Sequence, residues 1–246
     1  MSYPIRIRLT AISCFLSGKI PLRVMVLFVL PSSLRPKGEF VTTLFGRPFR
    51  VLADQVNGFL GTVDEIIISN QYRIEMIGDK DVVLDAGANM GIFASLVAAK
   101  RPGATVIAFE PTPSTFAALA ENVRGYPNVT VVNNGLSDKE QDAFIKETGD
   151  CLSNHIDTSG TPVHLQKIDN LNTRVDFLKI DAEGYEANIL EGASETIKKW
   201  KPIMVMSAYH KPNDKMELPA LITKICPDYS FELRAGREDI LICHPA

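Results

Sequence analysis

The sequence predicts an α/β protein built on a seven-stranded, mostly parallel sheet. Three observations predict it. From Asp81 onward, strand-length apolar runs alternate with segments of helical period, the pattern of a parallel sheet with helices on both faces. The first of these strands runs into the glycine turn of VVLDAGANMG (82–91), a place where backbone approaches a ligand closely. The last two apolar runs, 229–234 and 239–243, are separated by a short turn at Ala235-Gly236 and read as an antiparallel hairpin on the sheet edge.

The elements follow in chain order. Residues 1–38 read as a helical extension that ends in the Pro/Gly-bearing stretch 31–38. Its apolar part, 9–30, is interrupted by Lys19, Pro21 and Arg23, so only 24–30 is unbroken. A membrane-spanning helix needs roughly 20 such residues. Arg6 and Arg8 precede the apolar stretch as in a signal peptide, yet no small-residue cleavage site follows before Pro31. The expectation is a helix that packs on the protein or lies on a membrane surface. Residues 39–80 form a second piece. Phe40, Thr42 and Leu44, then Phe49, Val51 and Ala53, alternate around Gly46-Arg47-Pro48 as in a hairpin, and 64–77 carries helical spacing. The main domain is 81–246. Strands are expected at 82–85, 105–109, 129–132, 176–181 and 203–208, and helices at 91–100, 113–123, 185–198 and 214–226. The stretch 143–167 suggests an extra strand pair and a loop.

Bulk properties narrow the class. A chain of 246 residues with 46% apolar and 22% charged residues is ordinary for a globular protein. A net charge of −3 gives no reason to expect a nucleic-acid partner. Cys14, Cys151, Cys226 and Cys243 form no C-x-x-C pair and no zinc spacing, so they read as free thiols of a cytoplasmic protein. Membrane association through the N-terminal segment is the one qualification.

The chemistry gathers at the predicted strand tips. The turn Asp85-Ala86-Gly87-Ala88-Asn89-Met90-Gly91 opens with an acid and has two glycines, unlike the G-x-G-x-x-G of dinucleotide sites. A carboxylate there repels a pyrophosphate and suits a cofactor with an ammonium and a sulfonium, such as S-adenosylmethionine. Glu110, followed by Pro111, ends the next strand and can accept from ribose hydroxyls. Asn133, Asn134, Gly135 and Leu136 can meet an adenine ring, or can simply be an Asx-type turn. Asp181 and Glu183 end the fourth strand and approach the same crevice. Asp181 can hold the methionine ammonium, orient the substrate or take its proton, while Lys179 and Glu183 can form an ordinary ion pair. His210, after the fifth strand, is the one histidine at a strand tip and can act as a general base. His155 and His164 fall in the irregular middle segment and His244 at the C-terminus.

DAGANMGIF (85–93), FEPTPSTFAALAENV (109–123), LSD (136–138), DFLKIDAEGYEANILEGA (176–193) and SAYHKP (207–212) occur in this order. Together they resemble the FkbM-type S-adenosylmethionine-dependent methyltransferases over roughly residues 60–245. The resemblance implies a class I, Rossmann-like methyltransferase fold with a terminal hairpin, S-adenosylmethionine as cofactor, and O-methylation of a sugar, glycan or natural-product hydroxyl. By motif position it places cofactor contacts at Asp85, Gly87, Asn89, Gly91, Glu110, Leu136 and Asp181, with Ala88, Pro111, Asn134 and Gly135 completing the set. The catalytic candidates are His210 first, then Asp181 and Glu183. No metal site is expected, because Asp181 has no evident companion ligands. Rival readings are an N-methyltransferase, an enzyme of lipid-linked or protein acceptors at a membrane surface, a nicotinamide-dependent oxidoreductase and a non-catalytic binding module.

Overall fold

The structure is a computed structural model, which describes residues 5–53, 55–146, 155–235 and 238–246. Cys151 and Gly236 lie outside the described residues. The chain opens with helices α1 (Ile5–Leu16) and α2 (Leu22–Val29), then the hairpin β1 (Phe40–Leu44) and β2 (Arg47–Val51). Helix α3 (Val56–Val63) runs into a π turn at Asp64–Ile68. The main domain follows as β3 (Val82–Ala86), α4 (Ile92–Lys100), β4 (Thr105–Phe109), α5 (Pro113–Val123) and β5 (Val129–Val132). A small sheet comes next, from β6 (Gly135–Leu136), β7 (Gln141–Lys146), β8 (His155–Asp157) and β9 (Thr161–Gln166). The chain ends in β10 (Phe177–Ile180), α6 (Glu186–Gly192), α7 (Ser194–Trp200), β11 (Ile203–Ser207), α8 (Asp214–Ile225), β12 (Tyr229–Arg234) and β13 (Ile240–Pro245).

The large sheet has the order β12-β13-β11-β10-β3-β4-β5. From β11 to β5 all pairs are parallel, and β13 inserts antiparallel between β11 and β12. The chain starts at β3 and winds outward both ways, so a crevice opens at the β3/β10 switch. Successive side chains serve opposite faces. Val83, Val106, Phe177 and Val205 join one core cluster with α4; Leu84, Leu178, Met204 and Leu241 join another with α6, α7 and α8.

The N-terminal helices share the first of these clusters rather than standing apart. Val24, Leu27 and Phe28 are buried against it. Such side chains contribute roughly 1.5–3 kcal/mol each relative to exposure. Arg35 locks the join, donating to the Leu27 carbonyl at 3.0 Å and to Asn57 Oδ1 at 2.6 Å.

Three expected elements differ. The helix read at 64–77 starts earlier, at Val56, and ends at Ile68, because Asn70 and Arg73 take left-handed conformations (φ 45° and 51°) that stop it. The helix read at 185–198 divides into α6 and α7 at Ala193 (φ −111°), just after Gly192 is pressed on the Ser137 carbonyl. The strand pair read at 143–167 is three strands, which join β6 in their own sheet.

Candidate active site

The glycine turn is shaped by close backbone approach. The Gly87 and Ala88 amides both donate to the Phe109 carbonyl. Gly87 has φ 77°, and a Cβ there would sit 1.8 Å from the Asp181 carbonyl oxygen, so only glycine fits. Asn89 is also left-handed (φ 50°) and its Oδ1 accepts from the Met90 amide at 2.7 Å.

Two of the expected cofactor contacts are placed off the cavity wall. Asp85 is fully buried and does not line the cavity; it pairs with Lys179 Nζ at 3.1 Å. The β3–β10 register sets Lys179 opposite Asp85, and Lys179 also donates to the Gly87 carbonyl at 2.6 Å. Burial raises the Asp85 carboxyl and Lys179 opposes that; burial alone would lower Lys179, but Asp85 and Asp181 hold it above its ordinary value. The acid at the strand tip therefore braces the turn through Lys179. Lys179 does not pair with Glu183 as an alternative reading had it. Gly91 also stays off the cavity wall. It caps α4 with φ 91°, where a Cβ would meet Leu119 at 2.7 Å.

The remaining cofactor candidates converge. Gly87, Ala88, Asn89, Glu110, Pro111, Asn134, Gly135, Leu136 and Asp181 line one cavity at the strand ends. Glu110 is buried, with Oε2 accepting from the Asn89 amide (3.0 Å) and Oε1 from the Thr112 amide (2.9 Å). Burial raises its carboxyl, and those amides oppose the rise. Asn134 donates to Gln166 at 2.6 Å, and Asn133 instead ties the Glu110 and Pro111 carbonyls.

At the β10 and β11 tips stands a network of acids around one imidazole. Asp181 is gripped on both oxygens: Oδ1 accepts from Ser207 Oγ (2.7 Å) and Oδ2 from the Tyr72 hydroxyl (3.0 Å). Glu183 lines the cavity in a left-handed conformation (φ 50°), and burial with the Asp181 charge lifts its carboxyl to about 8. Glu186 is buried, and its Oε1 accepts from the Ala182 and Gly184 amides and from His210 Nδ1 at 2.8 Å. That bond puts the imidazole proton on Nδ1 and turns Nε2 toward Glu183 Oε2 (3.4 Å) and Asp181 Oδ1 (3.9 Å). Burial would lower His210, but Glu186, with Asp181 and Glu183, outweighs it and the imidazole rises to about 9.

His210 does not itself line the cavity; Asp181 and Glu183 do. His210, expected from the sequence as the first catalytic candidate, is placed off the cavity wall, with Nε2 3.4 Å from Glu183 Oε2. His164 lies away from the site, 3.0 Å from Asp142, and His244 is 3.9 Å from Glu232. Tyr72, Ser207, Glu186 and Glu65 escaped the sequence reading; Glu65, from the π turn, lines the cavity. Ser207 and Glu186 did fall inside the SAYHKP and DFLKIDAEGYEANILEGA motifs. The ligating atoms of Asp181, Glu186 and His210 lie within 4.8 Å of one another, a set that could hold a divalent ion.

A β3-first parallel sheet with β13 reversed, and a cavity of strand-tip carboxylates over a glycine turn, define a class I methyltransferase fold. Residues 85–233 match the model of the Methyltransferase FkbM domain, and the chain belongs to that family. Among its relatives, the hexuronic acid methyltransferase AglP of Haloferax volcanii is 26% identical over 182 residues, covering 68% of this chain and 75% of that protein. Methyltransferase 1 of Beauveria bassiana is 27% identical over 164 residues, covering 53% of this chain and 66% of that protein. The 31-O-demethyl-FK506 methyltransferase FkbM of Streptomyces tacrolimicus is 55% identical over 42 residues, which is 17% of this chain and 16% of that one. The crystal structure of Methyltransferase FkbM from Methylobacillus flagellatus superposes with a TM-score of 0.56 at 23% identity, covering 68% of this chain and 44% of that chain.

Proposed function

We propose that the protein is an S-adenosylmethionine-dependent methyltransferase acting on a hydroxyl of a sugar, glycan or natural product. The observation that carries this is the pairing, in one cavity, of a glycine turn and Glu110 with Asp181 and Glu183, which His210 and Glu186 back from outside the cavity wall. The donor set suits the cofactor: a buried carboxylate for ribose hydroxyls at Glu110, Asn134 and Leu136 for a purine, and Asp181 for an ammonium. S-adenosylmethionine, when bound, supplies a methyl group activated on a sulfonium. Two relatives' names, a hexuronic acid methyltransferase and a 31-O-demethyl-FK506 methyltransferase, favour an oxygen acceptor in a glycan or natural product.

The chain's own residues handle the proton. An alcohol is a weak nucleophile until its proton begins to leave. Glu183 faces the cavity and receives that proton; His210, lifted to about 9 and so still protonated where Glu183 titrates, sets its positive charge 3.4 Å from the Glu183 carboxylate, and Glu186 fixes the ring. With Glu183 lifted to about 8, its basic form grows as pH rises through that value. Positive charge brought into the cavity favours the carboxylate and moves this limb downward.

The space enclosed at the strand tips is about 100 Å³. Ligand pockets commonly offer ~300–1,000 Å³. Binding a nucleoside therefore requires the walls to part, and Thr62, Glu65 and Ile66 form the side contributed from before the sheet. Titration calorimetry with S-adenosylmethionine and, separately, NAD tests the cofactor. Affinity for NAD alone sinks the proposal. Labelled methyl transfer to fractionated cell metabolites, with the methyl carbon shift of the product, tells oxygen from nitrogen.

A further inference from the structure

A second, larger space lies on the other side of Ile66. It is a groove of about 850 Å³, within the ~300–1,000 Å³ range of ligand sites. Phe15 and Ile20 from the first helical pair, Phe45 from the hairpin turn, Ile67 and Leu96 give it apolar walls. Lys19, Lys100 and Arg101 also line it. Glu75 is the acid there, and its carboxylate accepts from Asn70 and Arg73.

The two helices joined by the groove-lining connection 18–21 leave apolar stripes uncovered. On α1 these are Leu9, Ile12 and Leu16; on α2 they are Leu22, Val26 and Val29. The spacings i, i+3, i+7 and i, i+4, i+7 make each a single helix face. The first 38 residues hold six basic residues (Arg6, Arg8, Lys19, Arg23, Arg35, Lys37) and no acid, in a chain of net charge −3; Arg35 is buried in the join, and Lys19, Arg23 and Lys37 are exposed. Exposed apolar stripes beside concentrated positive charge are the makings of a segment that lies in the interface of an anionic bilayer. An apolar groove with cations among its lining residues suits one chain of such a lipid, with its head group at the cations.

We propose that α1, α2 and the groove beside them form a docking site for anionic membrane lipid, the groove accepting the lipid's apolar chain. The site is separate from methyl transfer, and its test uses neither cofactor nor acceptor.

The full chain is sedimented with phosphatidylcholine vesicles, with and without phosphatidylglycerol. The expected result is binding to the anionic vesicles only, weakening as salt is raised. Leu16→Asp changes an exposed residue and should weaken that binding about tenfold. Ala99→Trp, from an exposed position on the groove wall, should reduce uptake of the fluorescent fatty acid cis-parinaric acid about tenfold at unchanged Tm. Absence of vesicle binding, or equal binding to neutral and anionic vesicles, overturns the proposal. Lipid-independent dimerisation that Leu16→Asp abolishes also overturns it, because a second copy would then cover the stripes.

Discussion

The two spaces that meet at Ile66 are built on opposite terms. The strand-tip cavity encloses about 100 Å³ and is lined by Glu65, Glu110, Lys179, Asp181 and Glu183; the groove holds about 850 Å³ behind mainly apolar walls. The charged groups of the first are held by backbone amides, hydroxyls and a buried lysine. Preorganised polar groups of that kind stabilise developing charge. The second has apolar walls with Lys19, Lys100, Arg101 and Glu75 among them, and offers mainly shape. The difference also follows the chain. The family match begins at residue 85, and most of the strand-tip site lies inside it, whereas most of the groove's lining lies before it. On the two proposals above, proton handling sits in the family part and the lipid-docking surface in the preceding segment.

The strongest way to break this comparison is Glu183→Gln. It keeps the shape and removes the base. Turnover should fall about 10²–10⁴-fold with S-adenosylmethionine affinity nearly unchanged. Steady-state rates beside calorimetry check it, and a variant with full turnover removes Glu183 from the mechanism. A thermal readout needs no acceptor. The Glu183 carboxyl rises from 4.5 to about 8 on folding, so the folded chain holds its proton more tightly than the unfolded one. The stability this gives is present at low pH and is lost as pH rises from about 4.5 through about 8. Gln cannot ionise, so the Tm of the variant should gain on the wild type across that window.

Lys179→Met asks whether the glycine turn is braced from beneath. It leaves Asp85 buried without a countercharge, and breaking such a pair costs about 3–5 kcal/mol. Chemical denaturation should show that loss. Asp85→Asn combined with Lys179→Met should recover part of it, since no uncompensated charge remains. A fold as stable as wild type with Lys179→Met alone would mean that Asp85 is neutral and the pair idle.

These two sites show where the sequence is readable and where it is not. The alternation of runs from Asp81 and the two terminal strands are local signals, and the sheet followed from them. Glu110, Asn134 and Asp181 stand at strand tips, so tip position alone brought them together. Asp85 misled because its role depends on a neighbour 94 positions later: only the pairing of β3 with β10 sets Lys179 opposite it. Glu186 was invisible for a similar reason, since its carboxylate folds back on Ala182 and Gly184 before meeting His210. Tyr72 reaches Asp181 across 109 residues, a contact that no local pattern encodes.

Glu186→Gln sharpens the acid–imidazole network. His210 rises from 6.5 to about 9 on folding, with Glu186 the main cause opposing burial. The stability from that shift is present in full below about pH 6.5 and is lost as pH rises through about 9. The wild type should therefore exceed the variant most at pH 6, with the Tm gap narrowing across that window. An imidazole titration by NMR should show His210 falling in the variant. A pH-independent gap would mark Glu186 as a cap for its own turn and nothing more.

Tyr72→Phe is the mildest change and tests the boundary between the two regions. Tyr72 precedes the family match, yet its hydroxyl holds Asp181 Oδ2 while its ring lies 5.5 Å from Lys179 Nζ. Phenylalanine preserves the ring and its contact with Phe93 and deletes only the donor. Ser207 still holds Oδ1, so Asp181 keeps its place but loses one restraint. A hydrogen bond to a charged group is worth about 1.5–3 kcal/mol, and the partner here can turn toward cavity water, so the lower end applies. About a tenfold weakening of S-adenosylmethionine binding is expected if Asp181 receives its ammonium. The same weakening in turnover, at unchanged affinity, would place Asp181 on the acceptor side instead. No change in either would mean that the Tyr72 hydroxyl is idle at the site and leave Thr62, Glu65 and Ile66 as the preceding segment's share of it.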